Sequence, residues 1–136
     1  MSELHHDPLV ARLRAHVQLA TSVFELGEVP TVNPPLRYVV VASSPGDWSR
    51  SRYTGGKTAL TTTETIYCVG TTNASALKVS SWVEAQMKDY NLVIAGRSVH
   101  KPDPWLSRPV IVDKDGLIKL PFATIQFDIY SEPLPV

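Results

Sequence analysis

Residues 34–70 read PPLRYVVVASSPGDWSRSRYTGGKTALTTTETIYCVG, and this stretch decides the fold predicted for the chain. The continuous apolar run at 38–42 is typical of a strand that is buried on both faces. The second run, 59–69, is rich in β-branched residues and closes at Gly70. Residues 44–57 join the two strands, and a connection of this length indicates either a functional loop or disorder. The stretch therefore predicts a hairpin with an unusual loop.

The second strand of this hairpin divides into two halves by its alternation. Near Cys68 the apolar residues predict a buried half, whereas near Thr61 the threonines predict an exposed half. A strand that leaves the core in this way is expected to project as one side of a long hairpin, with Trp48 in the loop at its tip. Thr61 and Thr63 are then candidate contact residues.

Length and charge limit the classes of protein to consider. The 136 residues fit a single domain, 1–136, in which 1–6 and 131–136 are expected to be flexible or ordered by a partner. With 13 basic and 13 acidic residues the net charge is zero, so nothing overall attracts the chain to nucleic acid or to a membrane. The lone cysteine, Cys68, cannot form an intrachain disulfide, which favours a reducing compartment. Neither a signal peptide nor a membrane-spanning run is visible, and synthesis in a cytoplasm is expected.

Two amphipathic helices are predicted on either side of the hairpin. The first is expected over 8–20, because Asp7 can cap free backbone N–H groups and Pro8 is tolerated at the first helical position. The second is expected to begin after Thr72 or Asn73. Its apolar residues recur at helical spacing and predict one buried side, which also includes Gln86. They are Val79, Trp82, Val83, Met87 and Tyr90.

The remaining apolar segments complete the fold class. A short strand is expected at 21–26, apolar runs follow at 92–94 and 110–112, and 121–130 alternates as a strand. The proline-bearing tail 131–136 is not expected to continue that strand. The order of elements predicts an α+β domain: a mainly antiparallel β-sheet with two amphipathic helices packed on it, a long β-hairpin and an extended C-terminal tail.

Motifs for catalysis or ligand binding are missing from the sequence. The histidines and Cys68 have no paired spacing for a metal, so surface or half-buried histidines are expected. Gly56-Lys57-Thr58 resembles the end of a phosphate-binding loop, but a strand rather than a helix follows it. Ser43 and Ser44 lack the setting of a nucleophilic serine, and nothing pairs the scattered carboxylates. The chain is expected not to be an enzyme and to need no cofactor or metal.

The loop residues Trp48, Arg50, Arg52 and Tyr53 are of the types enriched at protein–protein hot spots. Aromatic and basic side chains also stack on bases and contact phosphates, which is the nucleic-acid interpretation. In a third interpretation, Trp48 packs back onto its own sheet and the arginines are solvated. These alternatives stay open at the level of the residues.

A series of motifs extends over nearly the whole chain. It comprises Pro34-Pro35-Leu36-Arg37-Tyr38-Val39-Val40-Val41, Pro45-Gly46-x-Trp48, Arg52 with Thr54-Gly55, the strand closing on Val69-Gly70, the helix with Trp82, Gly96-Arg97 and the strand 122–130. In this order the series resembles the tail terminator (tail completion) proteins of long-tailed, non-contractile, siphovirus-type phages of actinobacteria.

The resemblance implies a virion structural protein of the tail and neck, assembled in the host bacterial cytoplasm. It implies a homo-oligomer, a hexameric ring, that sits on the last ring of the tail tube and stops its polymerisation. The other side of the ring would meet the head-completion, or stopper, protein, and DNA would pass through the lumen without being read. Proteins of this family are not enzymes and use no cofactor.

Within this interpretation, strand 59–69 is expected to extend the sheet across subunit boundaries by edge pairing, while the Trp48 loop reaches an adjacent ring. The C-terminal tail is suited to reaching a neighbour, and the loop around Trp105 leaves open which face meets the tube. The predicted interface residues are Trp48, Arg50, Arg52, Tyr53, Thr61, Thr63, Trp105, Pro133 and Leu134. The alternatives are a head-side connector or stopper of the neck and a small nucleic-acid-binding protein, which salt-sensitive DNA binding would favour.

Overall fold

The computed structural model describes residues 3–50, 57–114 and 120–134. In chain order the elements are α1 (Glu3–Arg14), β1 (Val23–Glu25), β2 (Tyr38–Ser43), β3 (Asp47–Arg50), β4 (Lys57–Val69), α2 (Asn73–Met87), β5 (Arg97–Val99), β6 (Leu106–Ile111) and β7 (Phe122–Pro133). The predicted α+β class is confirmed, because two helices pack on a mainly antiparallel sheet.

The seven strands of the described residues form one sheet in the order β1-β2-β4-β7-β5. β3 pairs with the first part of β4, and β6 pairs with the first part of β7. Only β1 and β2 run parallel, whereas every other pair is antiparallel. The long strands β4 and β7 thus form the centre, and β1 and β6 lie at opposite edges.

β4 is a central strand, and the prediction that its Thr61 half projects from the core is wrong. From Leu60 to Val69 it pairs with β7, and its other side pairs with β3 and then β2. Thr62 and Glu64 are fully buried. Edge pairing of this strand with another subunit is therefore also wrong, because both of its edges are already paired within the chain.

The first helix begins and ends earlier than predicted. It spans Glu3–Arg14 with Pro8 inside it, so the prediction of a start at Pro8 is wrong. A proline inside a helix costs about 3 kcal/mol or more. The helix nevertheless extends past Pro8 because His5, Leu9 and Leu13 are all fully buried against the sheet and α2. Beyond Arg14 the chain continues in turns.

The second helix matches its prediction. The hydroxyl of Thr72 accepts a hydrogen bond from the backbone N–H of Ser75 at 3.1 Å, which is a helix N-cap. Val79, Val83 and Met87 lie on the buried side of the helix, as the spacing indicates. The N-cap residue and the apolar spacing are therefore sufficient to predict this helix from the sequence.

The last strand is longer than predicted. β7 continues past Tyr130 to Pro133, pairing with β5 over its final residues. Ser131 is fully buried in this extension. The predicted tail from 131 is thus a strand as far as Pro133, and Leu134 donates its backbone N–H to the Gly96 carbonyl at 3.1 Å.

Candidate assembly surfaces

A chain of hydrogen bonds, buried around His5 and part-buried at Arg97, attaches α1 to the sheet. Arg97 of β5 donates from Nε to Ser131 Oγ at 2.9 Å and from Nη2 to the Ser131 carbonyl at 3.0 Å. Ser131 Oγ lies 2.6 Å from His5 Nε2, and His5 Nδ1 lies 2.8 Å from Thr62 Oγ1. Thr62 then donates to Glu64 Oε1 at 3.0 Å. Four elements, β5, β7, α1 and β4, are joined in this half of the network.

The second half of the network continues from Glu64 to the first edge of the sheet. Ser43 of β2 donates its hydroxyl proton to Glu64 Oε2. His6 Nδ1 lies 2.7 Å from Ser43 Oγ, and His6 Nε2 lies 2.5 Å from Glu25 Oε1 on β1. Two adjacent histidines of α1 therefore contact opposite halves of the sheet.

The directions of the hydrogen bonds select the tautomer of neutral His5. Since Thr62 donates to Glu64, the hydroxyl oxygen of Thr62 accepts from His5 Nδ1–H. His5 Nε2 is then free of hydrogen and accepts from the Ser131 hydroxyl. Burial, together with the nearby charge of Arg97, lowers the pKa of His5 from 6.5 to about 4, which agrees with this neutral form.

Glu64 is the acceptor at which the two halves of the network meet. Burial raises the pKa of Glu64, while the hydrogen bonds from Ser43 and Thr62 and the charge of His6 oppose that rise. Both carboxylate oxygens accept from hydroxyl groups. Among the described residues, every buried side-chain nitrogen and oxygen has a hydrogen-bond partner.

Ser43, His6 and Glu25 bring together the residue types of a nucleophilic serine site, which the sequence did not indicate. The Ser43 proton, however, is donated to Glu64, and the imidazole of His6 donates toward the Ser43 oxygen. An activated serine requires the opposite direction, with the proton passing from the hydroxyl to the imidazole. This arrangement fixes α1 on the sheet and does not activate Ser43.

Trp48 lies in β3, at the base of the predicted loop and not at its tip. Its ring is half-buried, and the Arg97 guanidinium lies 5.8 Å from the ring centroid. Trp48 thus packs partly on its own sheet. Arg50 ends β3, while Arg52 and Tyr53 lie outside the described residues.

The other predicted interface residues lie on several elements, and only Thr61 is beside Trp48 in the hairpin, since Trp48 pairs with Leu60 and Asp47 with Thr61. Thr61 and Thr63 are half-buried on the sheet face opposite the helices, where Thr63 donates to Asp128 Oδ1 at 2.8 Å. Trp105 stacks on Phe127, with ring centroids 5.0 Å apart and planes 3° apart. Pro133 and Leu134 are exposed at the end of β7. Trp48, Arg50 and Thr61 therefore share the β3–β4 hairpin. Pro133 pairs with Arg97, whose guanidinium lies over Trp48, whereas Trp105 stacks elsewhere on Phe127.

A surface that the sequence did not indicate lies along β6. This edge strand pairs only with β7 among the described strands, and most of its side chains are exposed. The exposed apolar residues are Leu106 at 46%, Ile111 at 54% and Val112 at 49%. Arg108-Pro109 was the available signal, because a proline inside a strand indicates an edge.

The opposite edge of the sheet is formed by β1. Exposed apolar residues follow it in the connection to β2: Leu26, Val32 and Leu36. A groove of about 500 Å³ runs between α1 and β1, lined by His6, Asp7, Val10, Ala11, Arg14, Glu25 and Glu28. Arg14 donates to the Val23 carbonyl at 2.9 Å, which occupies one backbone acceptor of this edge.

Among the described residues, neither a group of metal-binding side chains nor a helix that could span a membrane is present. No three His, Cys, Asp or Glu side chains there could hold a metal ion together. No helix there combines the length and the apolar character needed to cross a membrane.

Comparisons with known proteins give structural matches only. Neither a protein-family model nor a curated protein matches the chain. A chain in the virion of a native gene transfer agent particle superposes with a TM-score of 0.57 at 16% identity, covering 92% of this chain and 90% of that one. Another solved protein, whose name gives no function, superposes with a TM-score of 0.63 at 14% identity, covering 100% of this chain and 97% of that one.

A third match, the bacteriophage SPP1 gp17 protein, has a TM-score of 0.49 at 20% identity and covers 93% of this chain and 88% of that one. The first two matches extend over nearly the full length of both partners, so this chain has the fold of a protein found in a virion.

Proposed function

We propose that this chain is a structural virion protein that forms a ring on the end of a phage tail tube. The ring ends polymerisation of the tube and provides the tail-side surface for joining to the head. The observation that supports this most strongly is the shared fold with a chain of a gene transfer agent virion, which covers 92% of this chain. The order of motifs along the sequence supports the same role independently.

In this role the protein acts by contact and not by catalysis. The ring is a homo-hexamer that meets the tail tube protein on one side and a head-completion protein on the other, and DNA passes through its lumen without being read. It needs no cofactor, it is assembled in the host cytoplasm, and it resides in the virion. The hydrogen-bond network from Arg97 to Glu25, which is buried around His5, suits such a subunit, because satisfied polar networks make a fold rigid and unique.

Electron microscopy of particles made without this protein tests the proposal. Tails that are overlong, and that fail to join heads, are the expected result, because nothing would then stop the tube or present a surface to the head. A copy of the gene supplied in trans is the control, and it should restore tails of normal length joined to heads.

Two other outcomes of that experiment would contradict the proposal. Tails of normal length that lack heads would assign the chain to the head side of the neck, as a connector or stopper. Tails of normal length that still join heads would exclude both roles.

A further inference from the structure

The start of β2 and the Trp48 hairpin lie at opposite ends of the sheet. Trp48 of β3 pairs with Leu60 near the start of β4, whereas Tyr38, the first residue of β2, pairs with Val69 at the end of β4. At about 3.3 Å of rise per residue, Leu60 and Val69 are roughly 30 Å apart along the strand. Each end of the sheet can therefore meet a different neighbour.

Arg37, directly before β2, contacts the second helix at its end of the sheet. Its Nε donates to Ser75 Oγ at 2.8 Å, and its guanidinium carbon lies 5.8 Å from the centroid of the Trp82 ring. The His16 ring is tilted by 30° to the Trp82 ring, with centroids 5.8 Å apart. The turn after α1, the entry to β2 and α2 thus meet around a half-buried indole, and we call this region the Arg37 end.

The charge of Arg37 has no counterpart in the described part of the chain. Arg37 is exposed, and none of the ion pairs formed by the described residues includes it. Its hydrogen bond to Ser75 uses Nε, so the terminal nitrogens of the guanidinium remain for another acceptor. Because a guanidinium binds a carboxylate through two parallel hydrogen bonds, Arg37 suits a carboxylate of another protein.

Apolar side chains are exposed beside the same cluster. Leu36, which precedes Arg37, is 74% exposed, and Val17, which follows His16, is 81% exposed. Burial of such side chains is the main favourable term in most protein association. The Arg37 end therefore combines an unpaired charge with apolar residues that a partner could cover.

The far end of β6 lies at the same level of the sheet. The registered pairs join Tyr38 to Val69, Val69 to Phe122 and Phe122 to Ile111. Ile111 and Val112 are exposed there. β6 is three strand spacings from β2, or about 14 Å, which one partner surface can span. Exposed apolar residues surrounded by polar ones mark an interaction site.

A protein fits the Arg37 end better than nucleic acid does. Trp82 packs against the core, so its indole is not free to stack on bases. Phosphate backbones are bound by several basic side chains together, whereas Arg37 contacts the neutral side chains of Ser75 and Trp82. A protein surface with a carboxylate among apolar side chains matches both the charge and the apolar residues.

We propose that the Arg37 end is the surface that meets the head-completion protein, and that Arg37 binds a carboxylate of that partner beside Trp82. The inference rests on the proposed function for the identity of the partner, and it leaves the Trp48 end for the tail tube. Head joining brings together two separately assembled bodies, and exposed charges speed such an encounter. A ring repeats Arg37 in every subunit, so a modest contact per subunit is multiplied.

Charge reversal at Arg37 tests the assignment in assembled particles. Arg37→Glu is expected to give tails of normal length, with the yield of tails joined to heads lowered roughly tenfold or more, because two carboxylates would then face each other. Arg37→Lys keeps the charge and should retain more joining than Arg37→Glu. Electron microscopy measures both the length of the tails and the fraction that carry heads.

Two control variants separate this contact from a purely internal role. Ser75→Ala removes the acceptor of Arg37 but keeps the charge, so its loss of joining should be smaller than that of Arg37→Glu. Lys88→Glu reverses an exposed charge about 20 Å along α2 from Ser75 and should join heads like the wild type. Urea unfolding checks that Arg37→Glu is folded; if it is not, Arg37→Gln takes its place.

Four results would overturn the inference. Arg37→Glu tails that join heads like the wild type would exclude the contact, and overlong Arg37→Glu tails would assign this end to the tail tube. An equal loss of joining in Ser75→Ala would make Arg37 an internal tether. DNA binding by the purified wild-type chain that Arg37→Glu abolishes would assign the surface to nucleic acid.

The deletion of the gene separates this inference from the proposed function. Overlong tails in the deletion, together with normal joining in Arg37→Glu, would preserve the function and exclude the surface. Tails of normal length without heads in both cases would exclude termination of the tube and preserve the surface.

Discussion

Thr61 and Thr62 are neighbours on β4 with opposite environments, which makes them a matched pair for testing the buried network. Thr62→Val removes the hydroxyl that accepts from His5 and donates to Glu64. We expect the free energy of unfolding to fall by about 1–3 kcal/mol, because a buried N–H loses its acceptor. Thr61→Val, on the other face, should change it by about 0.5 kcal/mol or less.

Urea unfolding monitored by circular dichroism measures both variants. If Thr62→Val unfolds at the same urea concentration as Thr61→Val, the network does not hold α1 to the sheet.

His5 should make stability depend on pH below neutrality. Its pKa is lowered from 6.5 to about 4 in the folded chain, so the unfolded chain binds the proton first as the pH falls. The stability that neutral His5 contributes is therefore complete above pH 6.5 and is lost as the pH falls through that value toward 4. The raised pKa of Glu64 acts in the opposite sense, so the wild type must be compared with a variant that keeps Glu64.

His5→Gln is that variant, because its amide can also donate and accept hydrogen bonds. The difference in unfolding free energy between wild type and His5→Gln is expected to shrink by about 3 kcal/mol between pH 7 and pH 4, the value of the pKa shift. Urea unfolding at a series of pH values measures it. Parallel stability profiles for the two proteins would show that His5 does not titrate as its surroundings indicate.

At the scale of elements, the N-terminus of α2 depends on one hydroxyl. Thr72→Ala should reduce the free energy of unfolding by about 1 kcal/mol, because the N–H of Ser75 loses its acceptor. Thr72→Ser should restore most of the loss. Thr71→Ala, at the exposed neighbouring position, is the control, and an equal effect of the two alanine variants in thermal or urea unfolding would contradict the cap.

Elements with complete local signals could be predicted from the sequence. The cap and spacing of α2 and the apolar run of β2 depend on nearby residues, and both elements form where expected. The start of α1 and the burial of β4 could not be predicted, because they depend on pairs such as His5 and Thr62, which lie 57 positions apart. Without those partners, a threonine-rich strand indicates exposure and a proline indicates a helix start.

The candidate surfaces likewise could be predicted only in part from the sequence. The β6 edge was not predicted, although Arg108-Pro109 is a local signal for an edge strand. The proposed contact role of the Trp48 region stays a prediction.

At the scale of the whole molecule, the β3–β4 hairpin is predicted to contact an adjacent ring. Trp48→Ala combined with Arg50→Ala should then give tails that are overlong or that fail to join heads, as seen by electron microscopy. Leu77→Ala with Lys78→Ala, on the exposed side of α2, is the matched control and should leave tails normal. Unfolding curves of both double variants must show folded protein, since Trp48 is half-buried.

Tails of normal length that join heads in the Trp48 and Arg50 variant would refute the contact role of the hairpin. That outcome would leave the sheet edges as the surfaces to examine for contacts between subunits.

The central claim is that this chain caps the tail tube in the assembled particle, and its position there tests the claim most directly. Cryo-electron microscopy of intact particles should show a ring of this α+β fold between the last ring of the tail tube and the neck. Particles in which that position is filled by a different fold, or in which this chain lies elsewhere, would contradict the claim.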